Sequence, residues 1–80
     1  MEQKARTKDE KFLQALYEAA EEKGDLEACF DRYGIGTSIG LHPRGVDTIC
    51  TLLLQANFIK KGEGKEVHLT ENGLRLIREL

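Results

Sequence analysis

The sequence predicts an α+β domain in which a three-helix core is closed by a short β-hairpin and a C-terminal helix. Three observations predict it. Apolar residues recur at helical spacing from Asp9, from Pro43 and from Glu71. The stretch "FIKKGEGKEVHL", residues 58–69, alternates instead around a glycine pair. Glycines at 34, 36 and 40 crowd the junction between the second and third helices, where a tight corner needs Gly36 and Gly40.

Eighty residues make one small domain. A chain of this size buries only ~60–65% of the surface its unfolded form exposes, so nearly every apolar residue must serve the core. Hydrophobic residues at 40% and charged residues at 32% suit a globular fold rather than a disordered one.

Residues 1–8 are polar and read as a flexible start, leaving residues 9–80 as the domain. Phe12, Leu13, Leu16, Tyr17 and Ala20 then form an apolar helix face, with Lys11, Gln14, Glu18, Glu21 and Glu22 opposite. Gly24 ends that helix. "DLEACF" fits a helical turn or an extended piece; the extended form is favoured for residues 28–30. Asp31 is placed to cap a short second helix.

Pro43 suits the first position of the third helix, where its missing N–H costs nothing. Val46, Ile49, Cys50 and Leu53 form its buried stripe, and Asn57 can adopt the left-handed conformation that stops it. In the hairpin, Val67 and Leu69 alternate inward past Gly62-Glu63-Gly64. Thr70 caps the last helix, Glu71 suits its first turn, and Leu74, Ile77 and Leu80 mark its buried face.

A phosphate-cradling role for the glycines fails on context. Their spacing is not that of a dinucleotide loop, the chain is too short for the parallel sheet beneath one, and no Gly-Lys-Ser/Thr is present. A corner between helices fits better. Gly40 takes the turn, with Ile35, Ile39 and Leu41 apolar around it, while Gly36 lets the next helix cross closely and Val46 and Ile49 return to the core.

That pattern is similar to a helix-turn-helix, and the downstream "LLLQANFIKKGEGKEVHLTENGLRLI" resembles the tail of winged-helix proteins, with "LTENG" at residues 69–73 opening the last helix. The resemblance covers about residues 9–80. The family often has alanine where Gly36 stands, so glycine reads as a permissive variant costing about 1 kcal/mol of helix stability. Gly34 has no place in the pattern beyond a loose helix start.

The resemblance implies a transcriptional regulator of bacterial or archaeal type that binds double-stranded DNA in a sequence-specific way. Helix 43–56 would enter the major groove and the wing, residues 58–69, would touch the backbone. The residues suit that geometry. With its stripe buried, the third helix presents Arg44, Asp47, Thr48, Thr51 and Gln55 outward. Arginine pairs with guanine, glutamine with adenine, and a threonine methyl meets thymine; Asp47 repels phosphate but can accept from a cytosine amine. Lys60, Lys61 and Lys65 are candidate phosphate contacts, as are Arg32 near the second helix start and His42 in the turn. His68 reads as merely exposed.

Net charge is −2, yet residues 32–65 hold Arg32, Arg44, Lys60, Lys61 and Lys65 against only Asp47 and Glu63. The glycine-bearing segment is therefore the basic one. Winged helices also serve as protein–protein interaction modules without DNA binding, which the acidic total and Leu52 and Leu54 beside the stripe would suit. No nucleophile–base pair, paired carboxylate or metal-ligand spacing appears, so neither an enzyme nor a cofactor or metal is expected. Cys29 and Cys50 read as small core residues in a reducing compartment. No apolar run reaches ~18 residues, and the N-terminus lacks a signal-like stretch, so the expected location is cytoplasmic, away from membranes. A monomer or weak homodimer through the first or last helix is expected.

Overall fold

Thr7 opens the first helix. In a computed structural model of the chain, which describes residues 7–79, its hydroxyl accepts from the Glu10 N–H at 3.4 Å. Its own N–H donates to Glu10 Oε1 at 3.2 Å. This reciprocal cap satisfies donors that a helix start otherwise leaves orphaned. Helix α1 then runs Lys8–Lys23 and stops at Gly24. Of the flexible start expected over residues 1–8, Thr7 and Lys8 thus belong to the capped helix; residues 1–6 lie outside the described residues.

The extended piece expected at 28–30 falls slightly later, as strand β1 over Phe30–Asp31. Asp31 is also the cap of α2 (Arg32–Ser38): its Oδ1 accepts from the N–H groups of Tyr33 at 2.8 Å and Gly34 at 3.4 Å. Helix α3 spans Pro43–Gln55, β2 Ile59–Lys61, β3 Glu66–Leu69 and α4 Glu71–Glu79. The whole is an α+β fold of four helices and one small antiparallel sheet. Strand order is β1-β3-β2, with Phe30 opposite Val67 and Ile59 opposite Leu69. The hairpin was legible in the sequence; the pairing of β1 with β3 was not.

Phe12, Leu13 and Leu16 of α1 meet Val46, Ile49, Cys50 and Leu53 of α3, with Ile59, Val67 and Leu69 of the sheet completing the core. Ile77 anchors α4, while Leu74 is only half-buried and Leu80 lies outside the described residues. Cys50 is fully buried, as expected, but Cys29 is only half-buried, at the edge of the hairpin beside Gly62.

The corner between α2 and α3 depends on two glycines. Gly40 has a φ of +78°, a conformation that side chains rarely tolerate, and the Leu41 N–H returns to the Gly36 carbonyl at 2.9 Å. At Gly36 the requirement is space. A Cβ there would overlap Val46 Cγ2, and valine is stiff at χ1. Glycine at 36 is therefore required by the crossing, not a permissive substitute for alanine.

At the other end of α3, Asn57 adopts a φ of +63°. Thr70 fastens this stop to α4: its Oγ1 donates to the Asn57 carbonyl at 2.6 Å and accepts from the Gly73 N–H at 3.1 Å. Phe58 carbonyl oxygen presses against Gly73 so closely that a Cβ would overlap it. Both named residues of "LTENG" thus hold α4 against the entrance to the hairpin.

Candidate nucleic-acid interface

The buried stripe of α3 decides which side chains face outward. With Val46, Ile49, Cys50 and Leu53 turned to the core, Arg44, Thr48, Thr51 and Gln55 share one exposed arc of roughly 60° at ~100° per residue. Thr48 Oγ1 donates to the Arg44 carbonyl at 3.2 Å, and Thr51 Oγ1 to the Asp47 carbonyl at 2.9 Å. These back-bonds occupy the hydroxyl protons. What the threonines offer outward is their methyl groups and oxygen lone pairs. His42 caps the helix by position, with an extended backbone and no side-chain cap bond, and is exposed beside Arg44.

Asp47 is exposed too, but on the flank of that arc rather than within it. Its Oδ1 accepts from the Tyr33 hydroxyl at 2.6 Å. Tyr33 is held by the Asp31 cap at the start of α2, so the bond joins α2 to α3 near their crossing. This hydrogen bond, aided by the loss of hydration and the negative charge of Asp47, raises the Tyr33 pKa above its usual 10.0. Sequence reasoning missed Tyr33. The only signal for it was an aromatic residue inside the basic segment, and nothing in the spacing linked it to Asp47.

Arg32 is tied to the hairpin. Its backbone N–H and its Nε both donate to the Lys65 carbonyl, at 3.2 and 3.0 Å, which ties the hairpin turn to the start of α2. Lys65 in turn places its ammonium 5.4 Å from the centre of the Tyr33 ring, within reach of the ring's negative face. Arg32, Tyr33, Asp47 and Lys65 therefore form one connected group that spans α2, α3 and the hairpin.

Lys60 and Lys61 are exposed on β2, opposite His68 and Val67, and neither has a side-chain partner among the described residues. His68, expected to be exposed, is half-buried, with Nδ1 2.9 Å from the Leu69 carbonyl. Leu52 is 53% exposed beside the outward arc, whereas Leu54 packs partly against the core.

The sequence-derived residues fall into two exposed sets. Arg44, Thr48, Thr51 and Gln55 face out from α3, and Lys60, Lys61 and Lys65 lie on the hairpin. Asp47 and Arg32 are engaged in holding the two together. Two open clefts among the described residues lie along α1 at Ala15 and Glu18 and against Ile39. Among the described residues no group of His, Cys, Asp and Glu side chains could hold a metal ion, and no helix is long and apolar enough to cross a membrane. The chain matches no protein-family model, no curated protein and no solved structure.

Proposed function

We propose that the chain is a winged helix-turn-helix domain that binds double-stranded DNA and acts as a small transcriptional regulator. In this reading α3 enters the major groove and the β2–β3 hairpin is the wing, set on the sugar–phosphate backbone. The observation that carries it is the exposed arc of Arg44, Thr48, Thr51 and Gln55 on the helix that follows the Gly40 turn. Those side chains supply guanine, thymine and adenine contacts. Lys60, Lys61 and Lys65 supply charge that positions without reading sequence. The net charge of −2 does not oppose this, because the acidic residues are concentrated in residues 1–31 and the basic surplus lies in residues 32–65.

Amide chemical shifts of the labelled chain, followed while mixed-sequence duplex is added at two salt concentrations, test the reading. Residues 44–55 and 60–65 should shift together, and the effect should fade as salt rises. Four basic contacts give a log–log salt slope of roughly −3 to −4. Unmoved amides at low salt would overturn DNA binding. The exposure of Leu52 favours a second reading, in which the same face docks a protein; shifts centred on Leu52 with an unlabelled protein partner, and none with DNA, would select it.

A further inference from the structure

We propose that Tyr33 and Asp47 act as one acceptor-only reader that selects cytosine at a single position of the DNA site, Asp47 making the contact and Tyr33 positioning it. The inference rests on the DNA-binding reading and deepens it.

The argument starts from the protons. Tyr33 has a single hydroxyl proton, and it is spent on Asp47 Oδ1 at 2.6 Å. An ionised carboxylate only accepts. No other side chain or backbone group among the described residues bonds to Asp47 Oδ2. What the pair can show a ligand is therefore lone pairs alone: Asp47 Oδ2 and the remaining ones of the Tyr33 oxygen.

Major-groove edges respond differently to such a surface. Guanine presents N7 and O6, both acceptors, and thymine presents O4 beside its methyl group, so both are repelled or left unpaired. Adenine sets its N6 donor next to the N7 acceptor and matches only in part. Cytosine presents the N4 amine, a donor with no acceptor beside it, and matches fully.

Tyr33 matters because an exposed aspartate on a helix samples several rotamers and would be pushed about by nearby phosphates. The hydroxyl fixes one oxygen, and with it the direction of the other. Arg32 and Lys65, which flank Tyr33 through the Lys65 carbonyl and the ring face, offset the repulsion between the carboxylate and the DNA backbone. The pair also lies where α2 crosses α3, so its position relative to Arg44 and Gln55 is set by packed helices rather than by a loop.

Selection of bound duplexes from a randomised pool, sequenced at equal bound fraction and one salt concentration, is the test. The whole chain is used, with the variants Asp47→Asn and Tyr33→Phe. The unaltered chain should yield a motif with one position favouring cytosine over thymine by about tenfold. Asp47→Asn should move that position to adenine, since an amide both donates and accepts. Tyr33→Phe keeps the ring beneath Lys65 but removes the hydroxyl; the preference at that position should fall to about twofold while the other positions persist. A merely structural role for Tyr33 would weaken all positions together.

Thermal unfolding checks each variant, and if Tyr33→Phe does not fold, Asp47→Asn alone decides whether the pair reads a base. A motif unchanged in both variants would overturn the proposal. Salt-sensitive binding without any motif would overturn it too, while leaving DNA binding in place. Absence of binding at low salt would remove the DNA reading itself.

Discussion

Val46 Cγ2 lies where a Cβ on residue 36 would have to stand, so the Val46 side chain of α3 packs directly against the backbone of α2. Helix propensity alone would favour alanine at 36 by about 1 kcal/mol. The crossing reverses that sign. Gly36→Ala is expected to destabilise the fold by about 1–3 kcal/mol, the usual range for an overpacked core. Gly34, two residues earlier, meets only Asp31 Cβ at 4.0 Å, and its φ is not left-handed. Gly34→Ala should stabilise by about 0.5–1 kcal/mol. Urea midpoints of the two variants, moving in opposite directions, check both statements.

Thr70 joins the end of α3 to the start of α4 through one hydroxyl. Thr70→Val keeps the shape and removes that oxygen, leaving the Asn57 carbonyl and the Gly73 N–H without this partner. A loss of about 1–2 kcal/mol is expected, as for a removed helix cap. Urea unfolding followed by circular dichroism measures it.

Alkaline pH should weaken the fold in two stages. Burial, the largest cause, raises the Cys50 thiol above its usual 9.0, and the bond to Asp47 does the same for Tyr33 above 10.0. Both groups keep their proton in the native state at pH values where the unfolded chain has lost it. The unfolded chain then binds fewer protons, so stability falls as pH rises. The contribution is complete below the unfolded value and lost as pH climbs through the native one. Cys50→Ala should flatten the earlier part of the decline and Tyr33→Phe the later part. Urea midpoints between about pH 8 and about pH 11 show the two slopes.

On the DNA-binding reading, Lys60 and Lys61 hold phosphates and nothing else. Lys60→Gln and Lys61→Gln should each reduce the steepness of the salt dependence by about 1 while leaving the selected motif unchanged. Arg44→Gln should instead alter the base preference at one position, because arginine reads guanine with two parallel bonds. Binding titrations at several salt concentrations separate these effects.

Much of the architecture was legible because single residues announced it. The apolar stripe of α1, the Asp31 cap, Pro43 at the start of α3, the left-handed Asn57 and the Thr70 cap are each local in sequence, and each lies where its chemistry places it. Strand β1 escaped because two residues carry no periodicity; only its pairing with Val67 and Glu66 makes it a strand. The Gly36 requirement and the Tyr33–Asp47 bond escaped for a shared reason. Both depend on the angle at which α2 meets α3, which is a property of packing and leaves no mark on spacing. The outward arc of α3 was readable from its buried stripe, whereas the engagement of Arg32 with the Lys65 carbonyl was not.

The position of β3 between its two neighbours has a kinetic consequence. The β2–β3 hairpin closes a short loop and can form early, as can α1, α3 and α4. The β1–β3 ladder, by contrast, joins residue 30 to residue 67 and must wait until the intervening chain has collapsed. Because Asp31 belongs to that ladder and also caps α2, the second helix matures together with the sheet rather than with α1. In pulse-labelled refolding, amide protection at Arg32 should therefore rise in step with Val67 and after Leu16; protection of Arg32 in step with Leu16 would contradict that order.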